Sequence, residues 1–169
     1  MKQKTEKELK DNYERFIAII KKYFKDDRLE KLLFMYSEEE LGPNLAISPA
    51  SSNAGYHNCY TGGYIDHIFN VCKNALKVKE LFIQLGGKPD FTDEELIFCA
   101  LHHDLGKLGA KGKPFYLPNT SEWHVKNQGK IYASNDDLPH MTHTDRTFFT
   151  LQQYGISVYF QLCFTIGNG

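Results

Sequence analysis

The spacing of apolar residues predicts a chain built mainly of helices. Between residues 5 and 24 the apolar side chains fall on one helical face, while lysines and glutamates occupy the rest. A second, shorter helix is predicted over residues 27–36, where an aspartate stands at the start and an apolar run follows. Residues 42–63 are rich in Pro, Ser, Asn and Gly and are predicted to form a long loop, a kind of segment that is often functional in compact domains.

The two strongest helical patterns lie in the middle of the chain. The first covers residues 64–85 and carries a continuous apolar stripe that ends at Gly86. The second begins at Thr92, which forms a capping box with Glu95, and ends near Gly106. A last helix is predicted over residues 144–154.

The segment between residues 107 and 139 breaks the helical pattern. Gly, Pro and polar residues dominate it, and residues 122–132 are predicted to form two short strands around a turn at residues 127–129. The predicted fold is therefore a single, mainly α domain of residues 1–169 with a small β-hairpin. It comprises N-terminal helices in residues 1–40, a core over residues 45–155, and an apolar, β-prone tail over residues 156–169.

Composition and charge exclude several classes of protein. The 169 residues include 20 basic and 21 acidic side chains, so the chain lacks the basic footprint of a dedicated nucleic-acid-binding module. The first ten residues are charged, and no stretch approaches about 18 apolar residues, so neither a signal peptide nor a membrane span is expected. None of the four cysteines forms a C-x-x-C pair, which indicates reduced thiols in a cytoplasmic protein.

Residues able to bind a metal concentrate on the two strongest helices. His67 lies on the inward stripe of the first helix, and His103 and Asp104 lie at the end of the second. A buried carboxylate is costly unless it is paired, hydrogen-bonded or bound to a metal. Two imidazoles and a carboxylate suit Mn, Fe, Co, Ni, Zn or Mg, so we expect a divalent metal site. The alternative is a purely structural helical domain with histidines in its core, which predicts no stoichiometric metal.

Two motifs on these helices carry a family resemblance. The segment GGYIDH covers residues 62–67 and follows His57, and the segment ALHHDLGK covers residues 100–107. Together they resemble the HD-domain superfamily of metal-dependent phosphohydrolases, and in particular a branch similar to HD-type 3′–5′ exoribonucleases and phage HD proteins. The resemblance spans residues 45–155 and implies an HD-domain-like helical bundle.

The resemblance implies which residues would hold one or two divalent metals. His67 would be the first ligand, and His103 with Asp104 would form the second motif. Some members of the superfamily use further histidines for a second metal, and here His143 matches that role best, with His140 second. Such a metal would lower the pKa of a bound water and polarise a P–O bond.

The sequence departs from the family at its final ligand. The family ends on an aspartate carried by a later helix, whereas no Asp or Glu follows Asp145 in this chain. Either the chain is a shortened version that ends before that helix, or Asp145 substitutes for the missing ligand. The shortened version is favoured, and it predicts weak metal binding and little activity. The apolar tail could then complete the core of a homodimer.

Other residues near the motifs are candidates for catalysis. Asp104 could orient the attacking water, Lys107 could place an ammonium near a substrate phosphate, and His57 could reach the substrate or the water. His102, which precedes the second motif, is interpreted as a neighbour of the site and not as a ligand. Lys107 could equally be a solvated lysine after the end of a helix, where cations are favoured.

The predicted hairpin carries candidates for substrate binding. Trp123 lies beside Lys126 and Lys130, so the three could stack a nucleobase and bind phosphate as a lid over the metal. The alternative is a hairpin that packs its tryptophan on the core.

The sequence thus predicts a divalent-metal-dependent phosphohydrolase that acts on a phosphate ester, either a nucleotide or a short oligonucleotide. The alternative is a degenerate HD domain that binds metal or nucleotide without turnover.

Overall fold

The computed structural model describes residues 4–158 of the chain. This part is mainly helical, with seven α-helices, one 3-10 helix at Leu105–Leu108 and a two-stranded antiparallel sheet. None of these helices is long and apolar enough to cross a membrane. The α-helices are α1 Glu6–Tyr23, α2 Asp26–Met35, α3 Gly42–Ile47, α4 Gly63–Gln84, α5 Asp93–His102, α6 Glu122–Gln128 and α7 His143–Gln153.

The predicted helices with strong periodicity are confirmed as α1, α2, α4, α5 and α7. The predicted end near Gly106 is wrong, because α5 ends at His102 and the chain continues into the 3-10 helix. Thr92 and Glu95 form the predicted capping box at the start of α5, and Thr5 and Glu8 form a second one at the start of α1. Both boxes satisfy backbone N–H groups that a helix cannot pair internally, which fixes where these helices begin.

The core lies where α4 and α5 pack together and α1 covers them. Each helix contributes its apolar stripe, and the largest buried side chains are fully shielded from water. Burying one such side chain contributes about 1.5–3 kcal/mol. This packing therefore holds the ends of α4 and α5 in a fixed relation. The central residues are Phe16, Ile20, Tyr64, Ile65, Ile68, Phe98 and Leu101.

The prediction of a continuous loop over residues 42–63 is wrong in its first part, where α3 forms. Pro43 occupies the first turn of α3, where a missing N–H has no consequence, and Leu45 is buried in the core. Asn44 is buried too, and its Nδ2 donates to the carbonyl oxygens of Leu108 at 2.9 Å and Ala110 at 2.8 Å. The short helix thereby anchors the turn that follows the second motif.

The prediction of a hairpin within residues 122–132 is also wrong. Residues 122–128 form α6, which Ser121 caps by accepting from the His124 N–H and which ends at Gly129 in the left-handed region, φ 64°. A small sheet does exist, but its strands flank α6: β1 Tyr116–Pro118 pairs with β2 Tyr132–Ser134. The capping signals at both ends of α6 outweigh the apolar alternation that suggested strands.

Most of the apolar tail, residues 159–169, lies outside the described part of the chain, and so does the homodimer contact predicted for it. Cys163 belongs to that segment. The other cysteines, Cys59, Cys72 and Cys99, are buried, and no disulfide joins them within residues 4–158.

Candidate metal centre

His67 is positioned by the glycine pair at the start of α4. Gly62 adopts the left-handed conformation, φ 77°, and Gly63 begins the helix against the carbonyl oxygen of Asn58. A Cβ at Gly63 would collide with that backbone, so glycine is required for the close approach. One turn further on, His67 points towards the end of α5.

The residue before His67 ties this turn to the N-terminus. Asp66 accepts hydrogen bonds from Lys4 Nζ at 2.8 Å, Asn12 Nδ2 at 2.9 Å and Tyr60 Oη at 2.8 Å. Burial raises the pKa of Asp66, but the hydrogen bonds from Lys4 and Tyr60 outweigh that effect and hold it below its ordinary value. The carboxylate therefore links α1 to the segment that precedes His67.

His103 and Asp104 come directly after α5. The Nδ1–H of His103 donates to the carbonyl oxygen of Ala100 at 3.0 Å, because a carbonyl can only accept. In the neutral imidazole this leaves the Nε2 lone pair free and directed at His67. Such an outer hydrogen bond is what orients histidines that ligate metals.

The three side chains form a compact triangle. His67 Nε2 lies 3.1 Å from His103 Nε2, and each of these atoms lies 3.4 Å from Asp104 Oδ2. Ligands held about 2.0–2.2 Å from one metal ion stand about 3.0–3.4 Å apart, which matches these distances. The side chains are 15–22% exposed, so a ligand can reach them. This His-His-Asp cluster could hold a metal ion.

Charge within the cluster favours an ionised carboxylate. Burial alone would raise the pKa of Asp104, but His103, His67 and Lys107 around it hold that pKa well below its ordinary value. Burial alone would lower the pKa of His103, but the adjacent Asp104 carboxylate outweighs burial, so the pKa of His103 lies above its ordinary value. Asp104 is therefore available as an anionic ligand at neutral pH.

Lys107 belongs to the same cluster. Its Nζ donates to Asp104 Oδ2 at 2.8 Å and to the carbonyl oxygen of Ala50 at 3.3 Å. The 3-10 helix produces this contact, since residues three apart lie above one another in that conformation. The ammonium thus contacts the carboxylate oxygen that also faces the two histidines.

The His57 ring lies against His67 at a tilt of 35° and contributes none of the three ligand atoms. Its ring centroid lies 4.6 Å from that of His67. Burial lowers the pKa of His57, and the neighbouring His67 and Lys107 lower it further. The lowered pKa favours the neutral imidazole.

His143 lies close to the cluster but outside its ligand triangle. It begins α7, and its ring packs 4.9 Å from that of Phe115. Its Nδ1 is buried and has no partner among residues 4–158. Burial lowers the pKa of His143, and the Lys107 charge adds to that effect. His140 is exposed on the loop before α7.

Neither Asp145 nor His102 enters the cluster. Asp145 Oδ2 accepts from Thr142 Oγ1 at 2.7 Å at the start of α7, which commits that carboxylate to the helix terminus. His102 is fully buried, and its Nδ1–H donates to the carbonyl oxygen of Phe98 at 2.7 Å. His102 is therefore a core residue beside the site.

The expected substrate-binding residues lie on α6 and just after it. Trp123 is 59% exposed on α6, so it does not pack on the core either. Lys126 pairs with Glu122 at 2.9 Å, and Lys130 bridges to Asn53 through the backbone. Within residues 4–158 no hydrogen bond, ion pair or ring contact joins Trp123, Lys126 or Lys130 to the triangle.

Sequence reasoning missed Tyr116, which lies near the cluster. Burial raises its pKa to about 12, with a further contribution from the Asp104 charge. Its ring lies 4.9 Å from that of Phe115 and 6.4 Å from that of Tyr132. The β-prone run of residues 115–117 was the available signal, but the pairing partner of that strand lies beyond α6.

Comparisons with models of known families, with curated proteins and with solved structures found no match to this chain. The fold and the cluster are therefore interpreted from this chain's own residues. They describe a mainly helical protein with a His-His-Asp cluster that could hold a metal ion.

Proposed function

We propose that this chain is a divalent-metal-dependent phosphohydrolase, and that its substrate is a phosphate ester such as a nucleotide or a short oligonucleotide. The observation that carries the proposal is the triangle of ligand atoms from His67, His103 and Asp104, with sides of 3.1–3.4 Å. The resemblance of the two motifs to the HD-domain superfamily supports the choice of reaction.

The donor set fits a divalent metal. Each imidazole offers Nε2 as a ligand atom, Asp104 offers an anionic oxygen, and three protein ligands leave positions for water and a phosphoryl oxygen. When bound, a divalent metal supplies Lewis acidity and lowers the pKa of bound water. His143 is the side chain placed to extend the site towards α7.

Two further residues contribute charge and proton transfer. The Lys107 ammonium, 2.8 Å from Asp104, can neutralise negative charge that develops on a phosphoryl group. A ring nitrogen of His57 can accept the proton that water loses as its oxygen attacks phosphorus, because the lowered pKa of His57 favours its neutral form. The ester P–O bond breaks in the same displacement, and the leaving oxygen takes up a proton.

The ligand count favours a second candidate, a metal-binding domain without turnover. Within residues 4–158 only three ligand atoms converge, and Asp145 is held at the α7 terminus by Thr142. A site with fewer protein ligands holds its metal less firmly, which would lower both occupancy and rate.

Metal content and activity together test the proposal. We expect near-stoichiometric Fe, Mn, Co, Ni or Zn in the purified protein by inductively coupled plasma mass spectrometry. The double variant His103→Ala, Asp104→Ala should lose it, while His124→Ala, at an exposed position outside the cluster, should retain it. Phosphate release from nucleotides and a generic phosphate ester should follow the metal content.

Each outcome decides between the candidates. A native protein that stays metal-free after reconstitution contradicts both. Stoichiometric metal without phosphate release from any ester contradicts the hydrolase and supports the binding domain. Activity that persists in the double variant refutes the assignment of the site.

A further inference from the structure

A groove outside the metal centre contains a second cluster of charged side chains. The groove has a volume of about 580 Å³ and lies between α7, the turn at residues 109–113 and the loop at residues 137–141. None of the residues that line it belongs to the His-His-Asp triangle. The volume falls within the range of sites that bind small molecules.

Arg146 of α7 lines this groove and is buried without an acidic partner. Only 5% of the residue is exposed, and its Nη2 donates to the carbonyl oxygen of Pro139 at 2.8 Å. Its Nε is buried and has no hydrogen-bond partner, and no carboxylate within residues 4–158 forms an ion pair with it. A buried cation is costly unless a counter-charge compensates it.

The Phe115 ring gives partial compensation. It lies 5.5 Å from the Arg146 Cζ, a distance at which a ring face attracts a cation weakly. Neither this ring nor one carbonyl oxygen supplies a negative charge. The guanidinium therefore keeps the capacity to bind an oxyanion through its planar N–H donors.

The other charges around the groove leave the anion position open. Lys111 Nζ pairs with Glu40 at 2.6 Å, and Tyr154 Oη donates to the same carboxylate at 2.8 Å, so that carboxylate is already engaged. Lys113 is exposed and forms no ion pair within the described residues. Asp137, exposed on the opposite loop, is the remaining acid of the lining.

Apolar side chains line the rest of the groove. Leu138 is buried, Met141 is partly buried, and Phe149 is 45% exposed. A ligand that used both the charge and this surface would join an oxyanion to an apolar body.

We propose that this groove binds a small organic anion, whose carboxylate or phosphate pairs with Arg146 and Lys113 and whose apolar body lies against Leu138, Met141 and Phe149. The site is separate from the proposed phosphohydrolase centre and does not depend on it.

Binding to the metal-free protein tests the site. Hexanoate, acetate and inorganic phosphate serve as probes in the presence of a chelator, with affinity from calorimetry and location from amide chemical shifts. We expect hexanoate to bind more tightly than acetate and to shift the amides of residues 137–141. Arg146→Gln should weaken binding about tenfold or more. Lys113→Ala should weaken it a few-fold, whereas Lys77→Ala, an exposed lysine of α4, should not.

The controls separate this site from the metal centre and from misfolding. Lys107→Ala should leave hexanoate binding unchanged. A loss in that variant, or shifts centred on Lys107, overturns the proposal, and so does the absence of saturable binding at millimolar probe. If circular dichroism shows that Arg146→Gln does not fold, the comparison of Lys113→Ala with Lys77→Ala decides, and equal affinities in that pair overturn the proposal.

Discussion

Replacing Gly106 with alanine tests the close contact between the 3-10 helix and α7. A Cβ at this position would collide with the carbonyl oxygen of His143 and would lie 3.0 Å from its carbonyl carbon and 3.1 Å from Arg146 Cβ. The Gly106 N–H also donates to Thr147 Oγ1 at 2.9 Å, in a hydrogen bond shielded from water. Alanine therefore forces α7 away from the turn and weakens this bond.

The destabilisation combines three effects. Overpacking in a tight contact costs about 1–3 kcal/mol. Loss of a buried hydrogen bond costs about 1–3 kcal/mol. The smaller conformational freedom of alanine in the unfolded chain offsets about 0.4–1 kcal/mol. We expect Gly106→Ala to lower the free energy of unfolding by about 3 kcal/mol, which for a chain of this length lowers the melting temperature by about 6–12 °C.

Urea and thermal unfolding followed by circular dichroism, in a chelator, measure this change. Gly55→Ala is the matched control, because a Cβ there would meet only the Asn53 side chain, at 3.3 Å. We expect the control to remain within about 0.5 kcal/mol of the native protein. Equal stability of the two alanine variants would refute the argument that the contact with His143 is required.

Three more predictions concern pH, metal and core. Burial lowers the pKa of His102 to about 4, below the ordinary 6.5. Between pH 6.5 and pH 4 the unfolded chain therefore binds a proton at His102 that the native protein does not. The native protein should therefore lose about 3 kcal/mol of stability between pH 6.5 and pH 4, and urea unfolding of His102→Phe should lack that loss. Saturating Mn²⁺ or Ni²⁺, at about 100 times Kd, should stabilise the native protein by about 2.7 kcal/mol and leave His103→Ala unchanged in thermal unfolding. Phe98→Ala, at a fully buried position, should cost about 3–5 kcal/mol, and an unchanged urea midpoint would contradict its place in the core.

The long helices were predictable because their signals are local. Periodicity sets the buried face of α4 and α5, and the Thr92 capping box sets where α5 begins. Residues 122–132 show the limit of the same approach. Their apolar alternation suggested strands, while the cap at Ser121 and the stop at Gly129 are equally local signals for a helix, and the helix formed.

Some residues of the candidate site could be predicted from local signals in the sequence and others could not. His67, His103 and Asp104 could be placed from sequence, because helical spacing sets the direction of His67, the second motif follows directly on α5, and α4 packs against α5. Tyr116 and Arg146 could not, because their positions depend on pairing across α6 and on the contact of α7 with the 3-10 helix. The hydrophobic periodicity of one segment does not show which distant segment it contacts.

The contact at Gly106 connects the two charged regions of the molecule. Lys107 follows Gly106 and reaches Asp104 on one side, while His143 and Arg146 approach from α7 on the other. The same approach brings the His143 imidazole near enough to Lys107 for the ammonium to lower its pKa, and it holds Arg146 beside the groove. Because Gly106 has no Cβ, α7 can approach the turn, and this approach places His143 beside the proposed metal centre and Arg146 beside the proposed anion groove.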